Sequence, residues 1–101
     1  MLTKDFIELR KTIPFAVEKV KNLGDVGIRL MRDGDLEEIE DFEVNKQIAW
    51  IIIDKNGCRV FSDDDIELVK LKFARPEKMD IISAWRKANY YEVAQAEIKK
   101  G

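Results

Sequence analysis

The sequence predicts a small α+β domain, mostly helical, with an N-terminal β-hairpin. Three observations predict it. The 101 residues suit one domain, which at this size buries about 60–70% of the surface its unfolded chain exposes. Two short apolar runs flank a glycine-bearing turn between residues 15 and 32. Three later stretches each join a helix-start signal to apolar residues at helical spacing. A single domain is expected over residues 1–89, with a C-terminal tail, helical or mobile, over 90–101.

Thr3 suits the cap of a first helix from Lys4 to about Lys11, with Phe6, Ile7 and Leu9 as its apolar contacts. That helix must stop before Ile13-Pro14, because the residue before proline avoids helical backbone. Phe15-Ala16-Val17-Glu18-Lys19-Val20 and Ile28-Arg29-Leu30-Met31, joined through Leu23-Gly24-Asp25-Val26-Gly27, read as the hairpin, since glycine at the turn between two strand-like runs is the local hairpin signal.

Asp33 or Asp35 can cap the next helix, and Asp35 with Glu38 fits a capping box. Acids in a first turn suit the positive end of the helix dipole. Leu36, Ile39, Phe42 and Glu43 follow a helical stripe whose apolar members face inward. The run Ile48-Ala49-Trp50-Ile51-Ile52-Ile53 has two readings. It is a strand of a second hairpin, turning at Asn56-Gly57 in a type I′ turn, or the end of a buried helix. So short an apolar run leaves residues 46–53 open between helix and strand.

Ser62 as cap, Asp63 and Asp64 in the first turn and Asp65 at the third position open a helix over about 63–72, with Ile66, Leu68, Val69 and Leu71 as its apolar residues. Pro76, at a first helical position, opens the last long helix. Met79, Ile82 and Trp85, with Ile81 and Ala88, form its inward stripe to about Asn89.

Composition excludes several functions. Without histidine there is no Ser-His-Asp or Cys-His device and no ordinary acid/base residue near neutral pH, so the chain is not expected to be an enzyme. Cys58 stands alone, and neither metal nor cofactor is expected. Asp54-Lys55-Asn56-Gly57 resembles the start of a calcium loop, but Arg59 and Asp65 stand where glycine and glutamate are required. Gly24-Asp25-Val26-Gly27 lacks the third glycine of a dinucleotide fingerprint. The net charge of -2 offers no general attraction to a phosphate backbone. No apolar run reaches the roughly 20 residues that cross a bilayer. Neither nucleic acid nor membrane is expected as a partner.

The charges are uneven. Asp33, Asp35, Glu37, Glu38, Glu40, Asp41 and Glu43 run without a base, whereas Lys70, Lys72, Arg75, Lys78, Arg86 and Lys87 meet only Glu77 and Asp80. Such a dipolar surface steers a complementary partner, including a second copy. Asp33, Glu37, Glu40 and Asp41 against Lys72, Arg75, Lys78 and Arg86 are the candidate self-association charges. The plainer reading is two ordinary solvated helix faces.

The order of segments adds a resemblance. A start of Met1-Leu2-Thr3-Lys4-Asp5-Phe6, a hairpin ending in Val26-Gly27-Ile28-Arg29-Leu30-Met31, an acidic helix, an apolar run and then Asp54-Lys55-Asn56-Gly57-Cys58-Arg59-Val60-Phe61-Ser62-Asp63-Asp64-Asp65-Ile66 resemble the tail assembly chaperones of siphophages, the long-tailed bacteriophages. The resemblance covers about residues 1–89. It departs at Trp50-Ile51-Ile52-Ile53, which is bulkier and more β-branched than the family's usual leucine and alanine.

The resemblance implies a non-enzymatic protein of the infected bacterial cytoplasm, absent from the mature virion. Such a protein coats the tape measure protein, keeps it soluble and recruits tail tube subunits. A longer frameshifted form is common in the family, and Lys99-Lys100-Gly101 is compatible with a slippery codon pair. Trp50, Phe61, Trp85, Tyr90 and Tyr91 are the candidate contact residues, since aromatic side chains concentrate at interface centres. Trp50 and Trp85 also read as core. Adjacent Tyr90 and Tyr91 cannot both face one side of a helix. The alternative to the chaperone is a small adaptor or regulatory module binding one protein stoichiometrically.

Overall fold

The computed structural model describes residues 2–9 and 12–90. Thr3 opens α1 (Lys4–Glu8), its Oγ1 accepting the Phe6 amide proton at 3.1 Å, which satisfies one of the free N–H groups of a helix start. The helix is shorter than predicted, and the expected contacts of Phe6, Ile7 and Leu9 are not made, because all three are exposed. Five residues make little more than one turn, too short a face to dock a stripe of side chains.

Strand β1 (Phe15–Val20) pairs antiparallel with β2 (Gly24–Arg29), Phe15 opposite Arg29 and Val20 opposite Gly24. The turn between them uses left-handed backbone at Asn22 and Gly24, residue types that tolerate positive φ. Alternation then sends Val20, Val26 and Ile28 into the core and leaves Val17 exposed on the opposite face. The predicted hairpin is present, but Gly24 to Gly27, read as part of the connection, belong to β2, which ends at Arg29.

Helix α2 (Asp33–Ile39) corrects the predicted start: Arg32 occupies the cap position, and Asp35 sits at the third helical residue, accepting the Arg32 amide proton at 3.2 Å. The expected stripe does not continue as one helix through Phe42 and Glu43. The chain turns at Glu40 and Asp41, and Glu43 caps a new helix, α3 (Val44–Ile51), by accepting from the Lys46 amide at 3.1 Å. Gln47 donates to the Ile39 carbonyl at 3.0 Å and closes the end of α2.

Both readings of the apolar run hold in part. It is helix as far as Ile51, and Ile52–Ile53 then form β3, paired antiparallel with Ile28 and Gly27. The sheet order is β1-β2-β3. Gly27 permits the pairing, for any Cβ there would collide with the Ile53 carbonyl oxygen. The turn that follows is not the type I′ expected, since only Gly57 takes positive φ and Asn56 does not. Asp54 governs it instead, its Oδ1 accepting from the Asn56 and Cys58 amides at 2.8 and 3.0 Å.

Ser62 and Asp65 form the predicted capping box around a 3₁₀ turn, Asp63–Asp65, which leads into α4 (Ile66–Lys72). α5 (Arg75–Asn89) ends where the spacing predicted, with Pro76 in its first turn. Ile81 and Trp85 are buried on it, but Met79 is exposed, so the inward stripe is narrower than expected. α3 lies against α4, α5 and β2, and α5 against β1 and β2. Ile28, Ile39, Ile48, Ile51, Val69 and Ile81 fill the space between, fully buried, each contributing about 1.5–3 kcal/mol. The whole is a small α+β domain with a three-stranded antiparallel sheet.

Candidate functional site

Trp50 organises the richest side-chain cluster among the described residues. Ile48, Ala49 and Ile51 of α3 turn into the core, which leaves the intervening indole half-buried at the domain edge. Phe42 meets it edge-on, with ring centroids 4.9 Å apart. Two guanidinium groups lie near its ring, Arg29 Cζ at 4.8 Å and Arg59 Cζ at 5.5 Å from the centroid, a geometry in which the ring quadrupole attracts the cations. Its Nε1 donates to Asp63 Oδ1 at 3.3 Å, and Arg59 Nη2 donates to the same oxygen at 3.1 Å.

Each partner is placed by an element described above. The turn at Asp54 brings Arg59 opposite Ile53, and the Ser62 cap sets Asp63 as the first residue of the 3₁₀ turn. Arg29 closes β2, and Asn89 of α5 holds its carbonyl, donating from Nδ2 at 3.0 Å.

Arg29 is 8% exposed. Its Nε and Nη1 are enclosed and have no hydrogen-bond partner. Burial pushes its guanidinium below the ordinary value, Asp35 opposes the shift, and Arg59 and Arg32 add to it. Asp63 is also lowered, but in favour of its charged form, held below the usual carboxylate range chiefly by its hydrogen bond from Arg59.

The other predicted contact residues lie apart from this cluster. Phe61 packs edge-on against Phe73, centroids 5.8 Å apart, and is half-buried. Trp85 is a core residue, buried against Tyr90 with centroids at 5.6 Å, so it presents little surface to a partner. Tyr91 lies outside the described residues, as does the predicted tail beyond Tyr90. Of the candidate charges, Asp33, Glu37, Glu40, Asp41, Lys72, Arg75 and Arg86 are exposed. Lys78 is half-buried and donates to Asn45 Oδ1.

Sequence reasoning did not single out Arg29 as a site residue. The available signal was a charged residue inside the apolar stretch Ile28-Arg29-Leu30-Met31, where burial of a cation demands a reason. A second feature also went unseen: an open recess of about 420 Å³ on the outer face of the sheet, lined by Phe15, Val17, Gly27, Ile53 and Val60. Among the described residues no group of three or more cysteine and carboxylate side chains could hold a metal ion, and no helix is long and apolar enough to cross a membrane.

Comparison with family models, with curated proteins and with solved structures finds no match for this chain.

Proposed function

We propose that the chain is a protein-binding chaperone of phage tail assembly, which covers the tape measure protein, keeps it soluble and recruits tail tube subunits in the cytoplasm of the infected bacterium. The observation that carries the protein-binding part is the exposure of large apolar side chains on separate elements. Leu2, Phe6, Ile7 and Leu9 stand exposed on and beside α1, Leu68 and Leu71 on α4, and Val17 and Val60 at the outer-sheet recess. Four of these side chains fall within residues 2–9, and exposed apolar surface gathered in one place favours protein contact. The spread of the others over further elements suits many modest contacts along an extended helical target.

The narrower assignment to tail assembly draws on the order of segments from Met1 to Asn89 described under the sequence. Self-association belongs to the same proposal, with the exposed acids Asp33, Glu37, Glu40 and Asp41 set against Lys72, Arg75, Lys78 and Arg86 of a second copy. The Trp50 cluster favours a second reading, a stoichiometric adaptor, because it concentrates specific groups at one place.

Co-expression with a tape measure protein tests the proposal, with the composition of the purified complex measured by mass. Several copies of the chain on each tape measure protein support the chaperone. A single copy supports the adaptor, and a tape measure protein that stays insoluble and unbound rejects the chaperone.

A further inference from the structure

Two apolar surfaces of this chain stand uncovered close to one another. Leu2, Phe6, Ile7 and Leu9, on and beside α1, are all exposed, and the helix buries no residue. The second surface is the recess of about 420 Å³ on the outer face of the sheet. Gly27 forms its floor, standing in register between Val17 and Ile53 and placing no side chain there. Residues 2–9 do not line the recess, so α1 does not fill the one in its own chain.

The connection keeps the two surfaces near each other. Ile13 donates its amide proton to the Gly57 carbonyl at 3.0 Å, which fastens the N-terminal segment to the turn at Asp54. Asp54 and Lys55 of that turn rim the recess. Leu9 lies four residues before Ile13, hence within about 14 Å of it even at full extension.

We infer that two copies of this chain form a closed two-fold dimer, each inserting Phe6 and its apolar neighbours into the recess of the other. A projecting segment beside a recess lets one two-fold axis satisfy both contacts, whereas the same pair on opposite sides of a domain would build an open chain of copies. The buried area agrees. Each exposed side chain offers on the order of 100 Å² of apolar surface. With three of the four entering, one insertion removes about 600 Å² from the two copies together, below the roughly 1,000 Å² of a specific interface, and two insertions remove about 1,200 Å². A foreign helix in the recess would leave α1 bare, and a foreign groove over α1 would leave the recess bare. Only a second copy covers both in one contact. No block of like charge opposes it, since Lys4 pairs with Glu8 at 3.5 Å on α1 and Asp25 and Lys55 bring both signs to the rim.

This dimer is separate from the pairing of acidic and basic faces proposed above. A target that needs the same apolar surfaces must displace it. It is measured on the chain alone, so its failure leaves the chaperone reading standing.

The test is sedimentation equilibrium of the full chain over a range of concentrations, at low and at high salt. A monomer–dimer equilibrium without larger species is expected, with a dissociation constant that changes less than about threefold as salt rises, because apolar burial is not screened. Phe6→Asp and Val17→Lys should each weaken the dimer at least about tenfold, since each brings an unpaired charge into an apolar contact. Mixing the two variants restores one native insertion and sets the introduced acid against the introduced base, so the mixed dimer should form about tenfold more tightly than either variant with itself. Phe6 and Val17 are 61% and 59% exposed, so both variants should keep the fold, which far-ultraviolet circular dichroism checks. Leu9→Asp and Val60→Lys replace either variant that does not.

Four results overturn the dimer: a strict monomer at the highest soluble concentration, species that grow beyond two copies, association unchanged in the folded variants, or a mixture no tighter than either variant alone. A dimer lost as salt rises overturns the insertion as well and assigns the association to the charged faces.

Discussion

Asn89 ties the last turn of α5 to the end of the hairpin: its Nδ2 donates to the Arg29 carbonyl at 3.0 Å while its Oδ1 accepts the Met31 amide proton at 2.6 Å. Asn89 Nδ2 also donates to the Trp85 carbonyl at 2.9 Å. One side chain thus completes backbone groups on two elements far apart in sequence. Asn89→Ala leaves half-buried donors and acceptors unpaired, and a loss of about 2–3 kcal/mol is expected from urea unfolding. Asn89→Asp keeps the acceptor for Met31 but loses both donations, and should be no more stable than the alanine variant.

Two glycines should respond with opposite signs. At Gly27 a methyl group meets the Ile53 carbonyl oxygen, so Gly27→Ala must push β3 off β2 and should cost upwards of about 2 kcal/mol. At Gly34, inside α2, nothing lies within 4 Å of the added carbon. Gly34→Ala is expected to stabilise by about 0.5–1 kcal/mol through helix propensity and a more restricted unfolded chain. Thermal unfolding of the two variants side by side checks both signs.

Burial separates residues that composition treats alike. Ile48, fully buried in α3, should cost about 2–5 kcal/mol on truncation to alanine. Leu71, 69% exposed on α4, should change stability by less than about 0.5 kcal/mol on the same change. If the chaperone reading holds, Leu71→Ala weakens target binding instead, which a pull-down at matched concentrations would register.

Asp63 gives the fold an acid-side dependence. Its carboxyl is held below the ordinary 3.8 by the Arg59 hydrogen bond. A depressed folded pKa means that the stabilisation is complete above the ordinary carboxylate value and fades as pH falls below it, through the lower folded value. The melting-temperature difference between the wild-type chain and Asp63→Asn should therefore stay constant from neutral pH down to about pH 5 and shrink at lower pH. A difference that grows on acidification would refute the Arg59–Asp63 assignment.

What could be read in advance was local chemistry. The Thr3 cap, the Ser62-Asp65 box and the proline-led start of α5 each depend on residues within one turn of one another, and those emerge directly from the sequence. Failures arose where partners distant in sequence decide. The switch between Ile51 and Ile52 depends on β2 waiting to pair with Ile52 and Ile53, whereas the start of α2 was misplaced by local chemistry, Asp35 serving as the third residue of a box opened by Arg32. The exposure of α1 follows from its shortness, which the apolar pattern of Phe6, Ile7 and Leu9 does not reveal. The companions of Trp50 converge from three separate segments, Arg29 from β2, Phe42 from the turn before α3, and Arg59 with Asp63 from the stretch after β3. No spacing rule links the three segments.

The direct passage from α3 into β3, with no residue between Ile51 and Ile52, has a mechanical consequence. The strand that edges the sheet is the covalent continuation of the most deeply buried helix, so separating sheet from helices would require unwinding that helix as well. Amide protons of Ile28 and Ile48 should then exchange through the same global opening, with hairpin and helices behaving as one cooperative unit.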